Sequence, residues 1–146
     1  LGWLPRLVNQ GFKGKIYCSG PTKEITKLIL LDSAKIQEED ARLANEKKFS
    51  KHEVAEPLYT VEQAKQVFPL FRVVKTNESV PLDAEISAVF VNAGHILGSA
   101  IAVIDITEDG KQKKRCVFSG DIGMKGKVLM PDPDLIASAD MPVPES

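Results

Sequence analysis

The sequence has 146 residues, 43% hydrophobic and 27% charged, with a net charge of −1: one domain's length, an ordinary globular composition, and a charge balance that excludes a chain-wide polyanion-binding surface. Two cysteines, Cys18 and Cys116, exclude a disulfide framework and a paired-cysteine zinc site. Apolar runs such as Leu28–Leu31 fall far short of the ~20 residues of a membrane span, so the chain reads as cytoplasmic, with reduced thiols and no membrane partner.

The elements follow in chain order. Pro5 opens a short helix with Leu4, Leu7 and Val8 on one face and Gly11 ending it. Lys15–Ser19 reads as a short strand, broken by Gly20-Pro21. Thr22 is the expected N-cap of the next helix, where Ile25, Leu28 and Ile29 recur at helical spacing. Asp32-Ser33 is read as an interruption, followed by a second helix over Ala34–Lys48 and a loop over Phe49–Pro57. Thr60-Val61-Glu62-Gln63 fits a capping box, and the helix behind it should stop before Pro69. From there the period changes to that of strands: Phe71–Val74, Ser79–Leu82, Ile86–Ala93, Ser99–Ile106 and Lys113–Phe118, with Asp109-Gly110 as the hairpin turn between the last two. The expectation is one α/β domain, helices followed by a mainly antiparallel sheet.

Strand direction singles out two side chains. Ile86–Ala93 runs toward Gly94-His95, the turn at Ile96-Leu97-Gly98 sends the chain back, and the next hairpin sends it forward to Ser119-Gly120-Asp121. Neighbouring strands would bring His95 and Asp121 to one sheet edge, roughly 10 Å apart at the backbone, within side-chain reach of a shared metal ion. Gly94, Gly98, Gly120 and Gly123 permit sharp turns around both. Spacing alone leaves open that these are ordinary turn residues, and two ligands leave a zinc site incomplete.

Ala93-Gly94-His95-Ile96-Leu97-Gly98-Ser99-Ala100 and Phe118-Ser119-Gly120-Asp121-Ile122-Gly123 resemble two metal motifs of the metallo-β-lactamase fold, in its β-CASP branch of nucleases. Leu30 to Ala41, Pro57-Leu58-Tyr59-Thr60, Met130-Pro131-Asp132-Pro133 and Ala139-Asp140 resemble further segments of that branch, in order, so that the resemblance spans nearly the whole chain. Gly2 followed by Leu4-Pro5 matches the tail of the family's ligand-rich motif His-x-His-x-Asp-His-x-Gly, and Glu145-Ser146 the start of a later one. The resemblance thus implies that residues 1–146 are part of an αββα metallo-β-lactamase core, an internal fragment without the upstream motif and the downstream β-CASP domain. The sequence departs from the family pattern at Met124-Lys125, where an Arg is usual, and at Met141-Pro142-Val143-Pro144, whose prolines suit an edge strand or none.

What the resemblance implies is a zinc-dependent exo- or endoribonuclease acting in RNA processing. Its two zinc ions, with manganese as the alternative, hold a hydroxide that attacks the phosphodiester. Asp121 would bridge the two ions and His95 would ligate one, with no catalytic residue beyond the metal ligands. The fragment alone is expected to be inactive and to bind metal weakly. RNA is the expected partner, and a homodimer the expected assembly of the intact protein. Two alternatives stay open: another hydrolase on this fold, acting on an ester, lactone or thioester, and a non-catalytic scaffolding relative.

Other residues receive simpler readings. His52 is taken as a solvent-exposed loop residue, and Glu38-Glu39-Asp40 as a solvated helix face. Lys111, Lys113, Lys114 and Arg115 form a basic run read as guarding a hairpin edge, with contact to RNA phosphates as the alternative. Cys18 and Cys116 are expected as small core residues, and Trp3 as a core or fragment-edge aromatic.

Overall fold

The computed structural model describes residues 1–48, 54–108 and 112–144. His52, the Asp109-Gly110 turn, Lys111 and Glu145-Ser146 lie outside the described residues, as does the side chain of Lys113. The chain divides into two compact units, one formed by residues 1–17 and 23–72, the other by residues 18–22 and 73–146.

In the first unit, helix α1 (Leu4–Asn9) has Pro5 in its first turn and is followed by Gly11 at φ +103°. Pro5 is buried, whereas Leu7 and Trp3 are exposed, so Trp3 is not a core residue. Strand β1 (Ile16–Cys18) pairs with β2 (Phe71–Val73). Helix α2 runs from Gly20 to Lys47 without a break. The expected interruption at Asp32-Ser33 is absent because the neighbours on either side, Leu30 and Ala34, are fully buried. Their packing outweighs the few tenths of a kcal/mol by which Asp and Ser disfavour a helix. Ser33 also accepts a hydrogen bond from Gln37 Nε2 at 2.9 Å. The buried row is Thr26, Leu30 and Ala34, a spacing of four, while Ile25, Leu28 and Ile29 remain exposed.

The segment after α2 is tied back to it through backbone groups. Asn45 exchanges two hydrogen bonds with Ala55, Gln37 Oε1 accepts from Leu58 N, and Glu38 Oε1 accepts from Val61 N. Glu38 is therefore a tether, while Glu39 pairs with Arg42 on the surface. Helix α3 (Val61–Lys65) carries the expected capping box: Thr60 Oγ1 accepts from Gln63 N and Gln63 Oε1 from Thr60 N. A 3-10 turn over Phe68–Leu70 takes in Pro69 and leads into β2.

The second unit is built on five strands: β3 (Ser79–Pro81), β4 (Ile86–Asn92), β5 (Ala100–Glu108), β6 (Gln112–Phe118) and β7 (Met141–Val143), in that spatial order. Neighbours are antiparallel except β6 and β7. Ala93, Ile101, Val103 and Val117 form its core, with Val89, Val91 and Ile136 packed against it. The chain is thus α/β, helices followed by a mainly antiparallel sheet, consistent with a metallo-β-lactamase-type fold. Pro142 takes its place in β7 at the sheet's edge, where a missing N–H leaves no interior ladder broken.

The basic run is corrected at Arg115. Its guanidinium makes a two-point ion pair with the buried Asp105, at 2.7 and 2.9 Å, and that pairing raises the Arg115 pKa above its ordinary value. Its backbone N–H donates to Asp140 Oδ2, so this part of β6 is covered rather than a bare edge. Cys18 is buried and Cys116 partly so; neither forms a disulfide.

Candidate metal-binding edge

Because β4 and β6 each run antiparallel to β5, they point the same way, and both end at one edge of the sheet. His95 follows β4 and Asp121 follows β6. The two side chains meet: His95 Nε2 lies 3.6 Å from Asp121 Oδ2. Both stay open to solvent, with 40% and 69% of the side chain exposed.

The loops that carry them are interlocked through the backbone. Gly123 N donates to Ala93 O at 2.8 Å. A Cβ on Gly123 would stand 1.8 Å from the Gly94 carbonyl oxygen, so no side chain fits where the two loops cross. Gly94 itself has φ +63°, and a Cβ there would meet Pro131 O at 2.8 Å. Glycine at 123 is thus required by close approach, and at 94 by both conformation and space.

Side chains complete the lock. Ser99 Oγ accepts from the N–H groups of His95 and Ile96, at 3.1 and 3.2 Å, which fixes the turn that presents the imidazole. Asn92 Oδ1 accepts from Gly94 N, and its amide donates to Asp132 O at 2.7 Å. Asp134 pairs with the Asn92 backbone at both of its polar groups. Lys127 Nζ donates to His95 O at 3.2 Å. On the other side of the turn, the hydroxyls of Ser19 and Thr22 both donate to Gly98 O, at 2.8 and 3.0 Å. Ser19 rather than Thr22 is the helix cap, accepting from Thr22 N, because α2 begins three residues earlier than the sequence suggested.

The donor set fits a divalent metal in part. Two atoms bonded to one ion at about 2.0–2.2 Å in tetrahedral geometry stand roughly 3.3–3.6 Å apart; the observed 3.6 Å lies at the upper end of that range. One imidazole nitrogen and one carboxylate oxygen suit zinc, and equally manganese or iron. Among the described residues, no group of three or more His, Cys, Asp or Glu side chains is placed to hold a metal ion. This pair therefore supplies half of a four-ligand set.

The sequence reading placed His95 and Asp121 at one edge and missed the residues that hold them there. Asn92 carried a usable signal: an Asn two residues before a Gly commonly closes an Asx turn. Ser99 and Asp134 carried none, since their partners are fixed by how the loops cross.

No family model matches the chain. It is similar to Transcription termination factor FttA of Cenarchaeum symbiosum, with 30% identity over 128 residues, covering 88% of this chain and 17% of that protein. It is similar to Ribonuclease TTHA0252 of Thermus thermophilus, with 28% identity over 145 residues, 99% of this chain and 28% of that protein. Transcription termination factor FttA of Methanothermobacter thermautotrophicus is 31% identical over 121 residues, 82% of this chain and 16% of that protein. The chain spans less than a third of the length of each of these curated relatives. By sequence it is related to proteins named as transcription termination factors and as a ribonuclease, and the relationship runs through most of its own length.

Proposed function

We propose that this chain forms part of the catalytic core of a metal-dependent ribonuclease of the β-CASP branch of the metallo-β-lactamase fold, with His95 and Asp121 as metal ligands. The observation that carries the reading is their meeting at 3.6 Å, from strands 26 residues apart in the chain. The relatives named as a ribonuclease and as termination factors support RNA as the substrate, ahead of a small ester, lactone or thioester. Zinc is the expected ion, with manganese as the alternative.

His95 would present Nε2, the ring nitrogen that faces Asp121. Asp121 would present a carboxylate whose two oxygens can each serve a different cation, and whose charge reduces the repulsion between them. Bound metal would supply Lewis-acid polarisation of the phosphodiester and a nucleophile at neutral pH. The Gly123–Ala93 bond and the Ser99 hydroxyl hold the two ligands' backbones before any ion arrives, so little ordering is left for binding.

The test uses the full-length protein and an end-labelled single-stranded RNA. Cleavage should stop in excess chelator and return with zinc or manganese. Asp121→Asn, which keeps the shape and removes the charge, should cut turnover by more than the roughly 10- to 100-fold typical of a residue that merely supports a ligand. Undiminished turnover in excess chelator, or normal turnover by the Asp121→Asn protein, would overturn the reading.

A further inference from the structure

We infer that Lys127 is a substrate-binding residue of this site, the one that takes the charge of the phosphodiester. The inference rests on the nuclease reading and adds to it a contact with the nucleic acid. A metal-dependent nuclease must neutralise an anionic substrate beside a ligand carboxylate, and Asp121 itself contributes negative charge at this edge. A cation fixed close by meets that need.

Among the described residues, Lys127 is the lysine whose ammonium is bonded to the loop that carries His95, through the 3.2 Å bond to the His95 carbonyl. Its stem is half-buried, and the ammonium sits on the same residue that presents the imidazole. An ammonium has three N–H donors; the bond to His95 O uses one and leaves two that a phosphate oxygen can accept from. The existing bond also removes much of the rotamer freedom that a lysine loses on gripping a ligand. Lys125, two residues earlier, has the same charge and lies exposed. It has no such bond to His95, so the pair provides a matched comparison: equal charge, with one ammonium held at the His95 carbonyl.

The experiment measures both binding and cleavage in the full-length protein for Lys127→Met, Lys127→Arg and Lys125→Met. Binding is followed by fluorescence anisotropy of a labelled single-stranded RNA in chelator, over a range of salt. Each phosphate contact to a single strand contributes about 0.7 to the slope of log affinity against log salt. Lys127→Met should therefore lower the slope by about 0.7 and weaken binding roughly 10-fold, with Tm unchanged. In cleavage the change should fall on KM, with kcat within about 3-fold, because the contact is present before and during reaction. Lys127→Arg keeps a cation and should recover most of the affinity, while Lys125→Met should change little. An unchanged slope in Lys127→Met, or an equal loss in Lys125→Met, overturns the assignment. So does a loss in kcat alone, which would make Lys127 a support for His95. A protein that binds RNA and never cleaves it defeats the nuclease reading alone, and Lys127 is then judged on affinity and slope. A protein that does not bind RNA defeats both.

Discussion

Helix α2 and the two loops at residues 93–99 and 120–134 are ordered by different means. The helix holds itself by its own backbone ladder, with surface pairs such as Glu24–Lys27 and Arg42–Glu46 along it and one buried row at Thr26, Leu30 and Ala34. The loops have no regular structure over most of their length. Bonds between residues 30 to 42 positions apart hold them: Gly123 to Ala93, and Asn92 to Asp132 and Asp134. The helix spreads its stability over many equivalent contacts, whereas the loops concentrate theirs in a few that have no substitute. The position of His95 against Asp121 therefore depends on single atoms, and changes in the two regions should separate stability from metal binding.

The largest loss of stability should come from the helix. Leu30→Ala removes a fully buried side chain and should cost about 2–5 kcal/mol. Metal affinity of the folded protein should be unchanged, as read by denaturant melts beside calorimetric titration with zinc. Gly123→Ala should cost less stability, about 2–3 kcal/mol, yet weaken metal binding more than 10-fold. Its methyl group cannot occupy the space 1.8 Å from the Gly94 oxygen, so the loops must part. Equal effects of these two changes on metal affinity would erase the distinction between the regions. Ser99→Ala comes next: it leaves the N–H groups of His95 and Ile96 without their acceptor, at about 1 kcal/mol and a severalfold loss of metal affinity. The smallest effect belongs to the helix surface, where Arg42→Gln breaks two exposed ion pairs and should leave both Tm and metal affinity unchanged.

The same contrast explains what the sequence disclosed. Strand positions, the Thr60–Gln63 capping box and the meeting of His95 with Asp121 were legible, because each follows from period, turn chemistry or strand direction. Helix continuity through Asp32-Ser33 was not: local propensity argued for a break, and burial of Leu30 and Ala34 decided otherwise. The role of Arg115 was hidden for a similar reason, since a run of basic residues gives no sign that one of them will meet a buried Asp105 across the β5–β6 pair. Ser99 and Lys127 lay beyond reach because their partners are backbone groups, and a sequence does not say which carbonyl or amide a fold will bring near. Gly123 was read as a turn residue, but its requirement is space: the oxygen that excludes a side chain belongs to a residue 29 positions earlier.

The most direct test is anomalous diffraction at the zinc edge from crystals of the full-length protein grown with zinc. The account predicts a peak within bonding distance of both His95 Nε2 and Asp121 Oδ2, and its loss or displacement in Asp121→Asn. Zinc bound elsewhere, with the His95–Asp121 pair in place and no density between them, would contradict the assignment of this edge as a metal centre.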